Sequence, residues 1–233
     1  DQPVSVQRRD GPGRAWPVLF CFDPGARGWS PVERFHAAAE KLGYIVVGSN
    51  NSRNGPWESN AAAIRAMFKD VATYFPIHPK RIYVAGLSGG ARVACQVAMA
   101  GLAHGVVACS AAFMASETPS KVPFPFFGTA GVTDFNYLEL RRTDRELDDR
   151  RVPHRVIIHP GGHEWLSPAL ALEALAWLDL QAMRTGTQAK DAVWIQSQLE
   201  ARLAAVPAQP AVERFLALRS VAAGDHGANL GCR

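Results

Sequence analysis

Arg81-Ile82-Tyr83-Val84-Ala85, then Gly86-Leu87-Ser88-Gly89-Gly90, then Ala91-Arg92-Val93-Ala94-Cys95-Gln96-Val97-Ala98-Met99-Ala100 form one continuous stretch, and its reading decides the fold. The first block is β-branched and aromatic, as a buried strand requires. The last is a helix-forming run stopped by Gly101. Between them G-x-S-x-G places Ser88 on a sharp strand-to-helix turn, where glycines let strand and helix approach closely. Such a turn lifts the serine hydroxyl above the sheet edge. It also aims the first helical amides, beginning with Gly89, at the same space.

Outward from this turn the chain alternates strand and helix. Trp16–Phe22 is a continuous apolar run, the pattern of a strand covered on both faces. Ser30-Pro31-Val32-Glu33 predicts a helix start, with Ser30 as cap and Glu33 three residues later, and Gly43 predicts its end. Tyr44–Gly48 is a second strand, Ser49–Glu58 a polar loop, and Ser59–Phe75 a helix with Ile64, Met67, Phe68 and Val71 on one face. Strands follow at 105–110, 125–130 and 154–159, and helices at 138–151 and 167–184. The charge clusters of 138–151 read as a solvated face laced with ion pairs. An edge strand is expected near Val4–Val6. This alternation predicts an α/β fold, a mostly parallel sheet with helices on both faces. Residues 187–233 break the rhythm and read as a C-terminal helical extension, with helices over 189–205 and 211–223. The expected organisation is therefore a sheet domain over 1–186 and an extension over 187–233.

Composition bounds the function. With 233 residues, 48% of them hydrophobic and 20% charged, the chain has enough material for one sizeable core. The net charge of +4 comes from scattered arginines without interleaved aromatics, which argues against nucleic-acid binding. No apolar run reaches the length of a membrane span. Cys21, Cys95, Cys109 and Cys232 show no C-x-x-C spacing, and read as free thiols rather than metal ligands or a disulfide framework. No H-E-x-x-H or similar cluster occurs, so neither a metal nor a cofactor is expected. The sequence opens at Asp1, without methionine, a start compatible with a soluble protein secreted or exported to a periplasm after loss of a leader.

A serine hydroxyl becomes a good nucleophile only beside a base, and the base needs a third group to orient it and stabilise its cation. In parallel sheets, functional groups gather beyond the carboxyl ends of strands. Asp134 follows the strand at 125–130, and His163 lies in the glycine loop Pro160-Gly161-Gly162-His163 after the strand at 154–159. Asp144, Asp148 and Asp149 are rival acids inside a charged helix. Ser110 also ends a strand, but it is no carboxylate. His159, at its strand's end, is the rival base. His36, His78, His104, His154 and His226 read as ordinary surface or core histidines.

With Gly86-Leu87-Ser88-Gly89-Gly90, a late Asp134 and Gly162-His163 in that order, residues 16–185 resemble the α/β-hydrolase superfamily. By length and the lack of a cap domain they are most similar to compact esterases: the dienelactone-hydrolase-like, phospholipase/carboxylesterase-like and feruloyl-esterase or polyester-depolymerase-like groups. The first strands of the usual eight-stranded sheet are short or absent, a departure at the N-terminal edge rather than at the site. The resemblance implies a serine hydrolase acting on a small-molecule or polymer-linked ester, with Ser88 as nucleophile, His163 as base and Asp134 as acid. Peptidase or thioesterase chemistry on the same triad, and a non-catalytic hydrolase fold used for binding, are the alternatives.

The amide of Gly89 is the expected first oxyanion donor. A second should come from the loop after Trp16–Phe22, where many superfamily members carry His-Gly and this chain has Asp23-Pro24-Gly25-Ala26. Pro24 has no amide hydrogen, so Gly25 is expected to serve. Trp57, Trp165 and Phe113 are expected to wall an open site together with Trp29 and Phe135, while Arg53 and Asn54 offer polar contacts.

Overall fold

The computed structural model describes residues 4–5, 15–114 and 118–205. Seven strands form one sheet: β1 (Val4–Ser5), β2 (Trp16–Phe22), β3 (Ile45–Gly48), β4 (Ile77–Leu87), β5 (Val106–Cys109), β6 (Phe126–Gly131) and β7 (His154–His159). Their order is β1-β3-β2-β4-β5-β6-β7. β1 pairs antiparallel with β3, Val4 opposite Val47, and the other six strands run parallel.

The period of two along each strand sorts its side chains to opposite faces. Val18, Phe20 and Phe22 of β2 join Ile45, Val84, Val106 and Phe126 in one core layer. That layer is covered by α2 (Trp57–Tyr74), α3 (Gly89–Met99) and α4 (Tyr137–Asp149) through Ile64, Met67, Val93, Val97, Leu140 and Leu147. Leu19 and Cys21 face the other way, with Val46, Tyr83, Val107 and Phe127. There α1 (Trp29–Leu42) contributes Phe35 and Ala38, and α5 (Pro168–Arg184) contributes Ala171, Leu175 and Leu178. Both faces are therefore dry, which is why the strands read as unbroken apolar runs.

The helix after β2 covers one face and the helix after the adjacent β4 covers the other. The loops leaving the carboxyl ends of β2 and β4 thus part around a crevice, the place where open α/β sheets bind ligands.

Two helix starts differ from expectation. α1 begins at Trp29 with Gly28 at the cap position and no side-chain cap bond, so Ser30 lies inside the first turn rather than capping it. Its end is as expected, with Gly43 at φ 72° donating to Ala39 O. α2 begins at Trp57, after Pro56, which moves Trp57 from the polar loop into a helix. Proline before the first helical position has no amide to satisfy and lets the helix start early.

Cys21, Cys95 and Cys109 are free and fully buried. Burial pushes all three thiols up, Cys109 to about 11. A thiol held protonated is a poor nucleophile and a poor metal ligand.

The chain divides into two compact units, Asp1–Leu178 and Asp179–Arg233. The second contains α6 (Ala192–Ala205), whose first turn is capped by Asp191 accepting the Trp194 amide at 2.9 Å. The helix expected over 211–223 and Cys232 lie outside the described residues. Among the described residues no helix is long and apolar enough to cross a membrane.

Candidate active site

β4 delivers Ser88 to the head of α3 with φ 53° and ψ −120°. A non-glycine residue seldom adopts this conformation, and where one does it marks a strained, over-determined position. The surroundings supply the constraint. Ser88 N–H donates to Cys109 O at 2.8 Å, and Ser88 O accepts from Ala91 and Arg92 at 2.9 and 3.2 Å. A Cβ on Gly86 would lie 2.1 Å from the Gly90 carbonyl, and one on Gly90 would lie 1.9 Å from Phe22 O. Only glycine allows β4, α3 and the end of β2 to come this close.

The loops after β6 and β7 meet at the same edge. Thr133 N and Oγ1 both donate to Gly161 O, at 3.1 and 2.7 Å, stitching one loop to the other. This brings His163 Nδ1 to 2.9 Å from Asp134 Oδ1. The Asp134 side chain is fully buried, while the His163 side chain keeps 23% of its exposure. Asp134 Oδ1 also accepts the Asn136 amide at 2.8 Å, and Asn136 Nδ2 reaches Ser110 O at 2.7 Å. A carboxylate held this way fixes the imidazole and directs Nε2 away from itself. Phe135 stacks on the His163 ring, 4.0 Å between centroids and 20° between planes, yet is 76% exposed. No hydrogen bond joins Ser88 Oγ to His163 among the described residues, and such bonds are often open in a site without substrate.

His159, the rival base, turns its Nδ1 to the carbonyl of Pro160 at 3.1 Å. Asp144, a rival acid, instead pairs with His154 at 3.4 Å. The charged face of α4 is less uniformly solvated than its composition suggests. Glu139 forms a two-bond pair with Arg92 of α3, at 2.9 and 2.7 Å, and accepts the Ala112 amide at 2.9 Å.

Asp23, at the end of β2, is completely buried and organises its loop. Its Oδ1 accepts the Gly25 amide at 2.8 Å and Arg27 Nε at 2.9 Å, and its Oδ2 accepts Trp165 Nε1 at 2.9 Å. Burial pushes this carboxyl up, but the Arg27 and Trp165 hydrogen bonds, the Gly25 amide and the Arg27 charge outweigh it and hold the group below the usual range.

These contacts bear on several expectations. The Gly25 amide, expected as second oxyanion donor, is committed to Asp23. Trp165, expected to touch substrate, is 6% exposed and locked by Asp23 and by an edge-on contact with Phe35. Phe113 is 3% exposed and stacked on Phe126 in the core. Trp57 is half-buried and packs against the same core layer. Arg53 is exposed, with its backbone bridged to Gly25. A large ring in a loop sequence gives no sign of which way it turns, and burial of its area usually wins. Phe135, next to Asp134, stacks on His163 and so stands beside the candidate triad.

Among the described residues no group of three or more His, Cys, Asp or Glu side chains is arranged to hold a metal ion. No protein-family model matches the chain, and no curated protein matches it by sequence. Solved structures do match by fold. FphF, a fluorophosphonate-binding serine hydrolase of Staphylococcus aureus solved with substrate bound, superposes with a TM-score of 0.56 at 15% identity, over 74% of this chain and 88% of its own. The chain has the α/β-hydrolase fold. A ferulic acid esterase matches with a TM-score of 0.56 at 16% identity, over 70% of this chain and 84% of its own. A hyperthermophilic esterase from the archaeon Pyrobaculum calidifontis reaches 0.60 at 13% identity, over 75% and 79%.

Proposed function

We propose that this α/β-hydrolase-fold protein is a serine hydrolase that cleaves carboxylic esters through an acyl-enzyme. The observation that carries the reading is the hydrogen bond from His163 to the buried Asp134, made at the sheet edge that also presents Ser88. Serine hydrolases and esterases among the structures of like fold support it.

Ser88 Oγ attacks the ester carbonyl carbon while His163 Nε2 takes its proton. Asp134 stabilises the imidazolium through Nδ1–H. The carbonyl electrons move onto oxygen, and the Gly89 amide, ahead of the first intrahelical bonds, faces that charge. Collapse breaks the bond to the leaving alkoxide, which receives the proton from His163. Water then attacks the acyl-serine by the same proton route and regenerates the hydroxyl. The exposed Phe135 ring beside His163 gives an aryl or bulky ester an apolar surface to rest on.

Ser88→Ala is expected to lower kcat on p-nitrophenyl butyrate by about 10⁴-fold or more, with an unchanged melting temperature. His163→Ala should fall comparably. Retention of most activity in either variant contradicts the reading.

A further inference from the structure

We propose that the carboxamide of Asn54 is the second oxyanion donor for the tetrahedral intermediate on Ser88. This rests on the ester-hydrolase reading above and deepens it.

A tetrahedral oxyanion needs donors about 3 Å away that are in place before charge develops. The loop after β2, where a backbone donor is expected, commits three of its amides elsewhere. Pro24 has none, Gly25 N–H donates to Asp23 Oδ1, Ala26 N–H to Asp23 O at 3.1 Å, and Gly28 N–H to Asn50 Oδ1 at 3.0 Å. Freeing Gly25 would break the hydrogen-bond set of a buried carboxylate, which is costly.

Asn54 fills the gap in space. A Cβ built on Gly89 would lie 1.8 Å from Asn54 Oδ1, 2.9 Å from its Cγ and 3.4 Å from its Nδ2. The carboxamide therefore lies directly over the Cα of Gly89, the residue after Ser88 and the owner of the first donor. Rotation about the last side-chain torsion exchanges its oxygen and NH₂ group, so the donor end can face the same space.

The backbone carrying this side chain is held firmly. Asn54 N–H donates to Pro24 O at 2.9 Å. Arg53 N–H donates to Asn60 Oδ1, and Asn60 Nδ2 donates back to Arg53 O, both at 3.0 Å. Ser52 Oγ adds a bond to Asn60 Oδ1 at 2.7 Å, and Asn60 is 4% exposed. The carboxamide itself makes no hydrogen bond among the described residues, so its NH₂ is free to donate to a ligand. Asn54 is exposed, and a free donor on a clamped backbone beside the oxyanion amide can meet the developing charge with only a side-chain rotation.

The test is steady-state hydrolysis of p-nitrophenyl butyrate by the wild type, Ser88→Ala, Asn54→Ala, Asn54→Asp, Gly89→Ala and the Asn54→Ala/Gly89→Ala pair, with melting temperatures. Asn54→Ala is expected to lower kcat about 10²-fold with KM nearly unchanged, and to weaken a trifluoromethyl ketone inhibitor by a similar factor. Asn54→Asp has the same shape, lacks the NH₂ group and adds a negative charge. It should fall at least as far, and it carries the test if Asn54→Ala does not fold. Gly89→Ala keeps its own amide but pushes the carboxamide aside, so it should lower kcat alone and add little in the Asn54→Ala background. Asn54 variants that keep near wild-type kcat and inhibitor affinity, while Ser88→Ala is dead, overturn the Asn54 assignment and leave the hydrolase reading intact. Substantial activity in Ser88→Ala overturns the hydrolase reading and this assignment with it.

Discussion

Asp23 ties two loops of the site together through one buried carboxylate. Its Oδ1 takes the Gly25 amide and Arg27 Nε, and its Oδ2 takes the Trp165 indole and Arg27 Nη2. Asp23→Ala leaves the Trp165 and Gly25 N–H groups without an acceptor, at a cost of about 2–3 kcal/mol. The charge adds a pH dependence. Because the folded-state pKa is depressed, the stabilisation is complete above the unfolded carboxylate value of about 4 and is lost as pH falls through the lower folded value. Urea titration should therefore show a larger gap between wild type and Asp23→Ala at neutral pH than well below pH 3. An equal gap at both would contradict the role assigned to the ionised group. Residue identity alone carries part of this: Asp23-Pro24 says that Pro24 cannot donate, but not that Asp23 claims the next amide. Trp165, Phe113 and Trp57 were likewise illegible, since their rings could face core or cleft with the same local sequence. The position of Asn54 over Gly89 depends on a contact between loops from different strands, which no local pattern encodes.

At the scale of elements, what was legible follows from period and punctuation. β2 spans the apolar run read for it, and β7 and the end of α1 also fall where strand pattern and Gly43 place them. Starts were less legible, as Ser30 and Trp57 show: before α1 the Gly28 amide is satisfied from a distant loop by Asn50, and before α2 Pro56 has no amide, so neither helix needs its local side-chain cap. The charge pattern of α4 reads as a solvated face, yet near its start and at its middle the helix is tied to its neighbours. Glu139 bonds Arg92, and Asp144 pairs with His154 of β7. Burial pulls the His154 pKa down, but the Asp144 hydrogen bond, the Val152 carbonyl and the charges of Asp144 and Asp148 outweigh it and raise it. A raised folded pKa means stabilisation that is full below the unfolded value of about 6.5 and lost as pH rises through the folded one. The melting-temperature gap between wild type and His154→Ala should accordingly be wider at pH 6 than at pH 9. A gap that stays constant or widens with pH would contradict this.

At the scale of the molecule, the sheet's switch from one helical face to the other between β2 and β4 opens the crevice. Ser88 stands on its β4 side, Asp23 closes its β2 side, and the stitched loops after β6 and β7 bring the Asp134–His163 pair to the same edge. The order Ser, Asp, His along the chain was legible because each residue follows a recognisable strand. The proposed ester hydrolysis stands or falls with Ser88 as the nucleophile. Reaction of the folded protein with a fluorophosphonate probe, followed by intact mass and peptide mapping, tests it most directly. One adduct per chain is expected, located on Ser88, absent in Ser88→Ala and formed far more slowly in His163→Ala. A folded protein that takes no label, or an adduct on another residue that persists in Ser88→Ala, would contradict it.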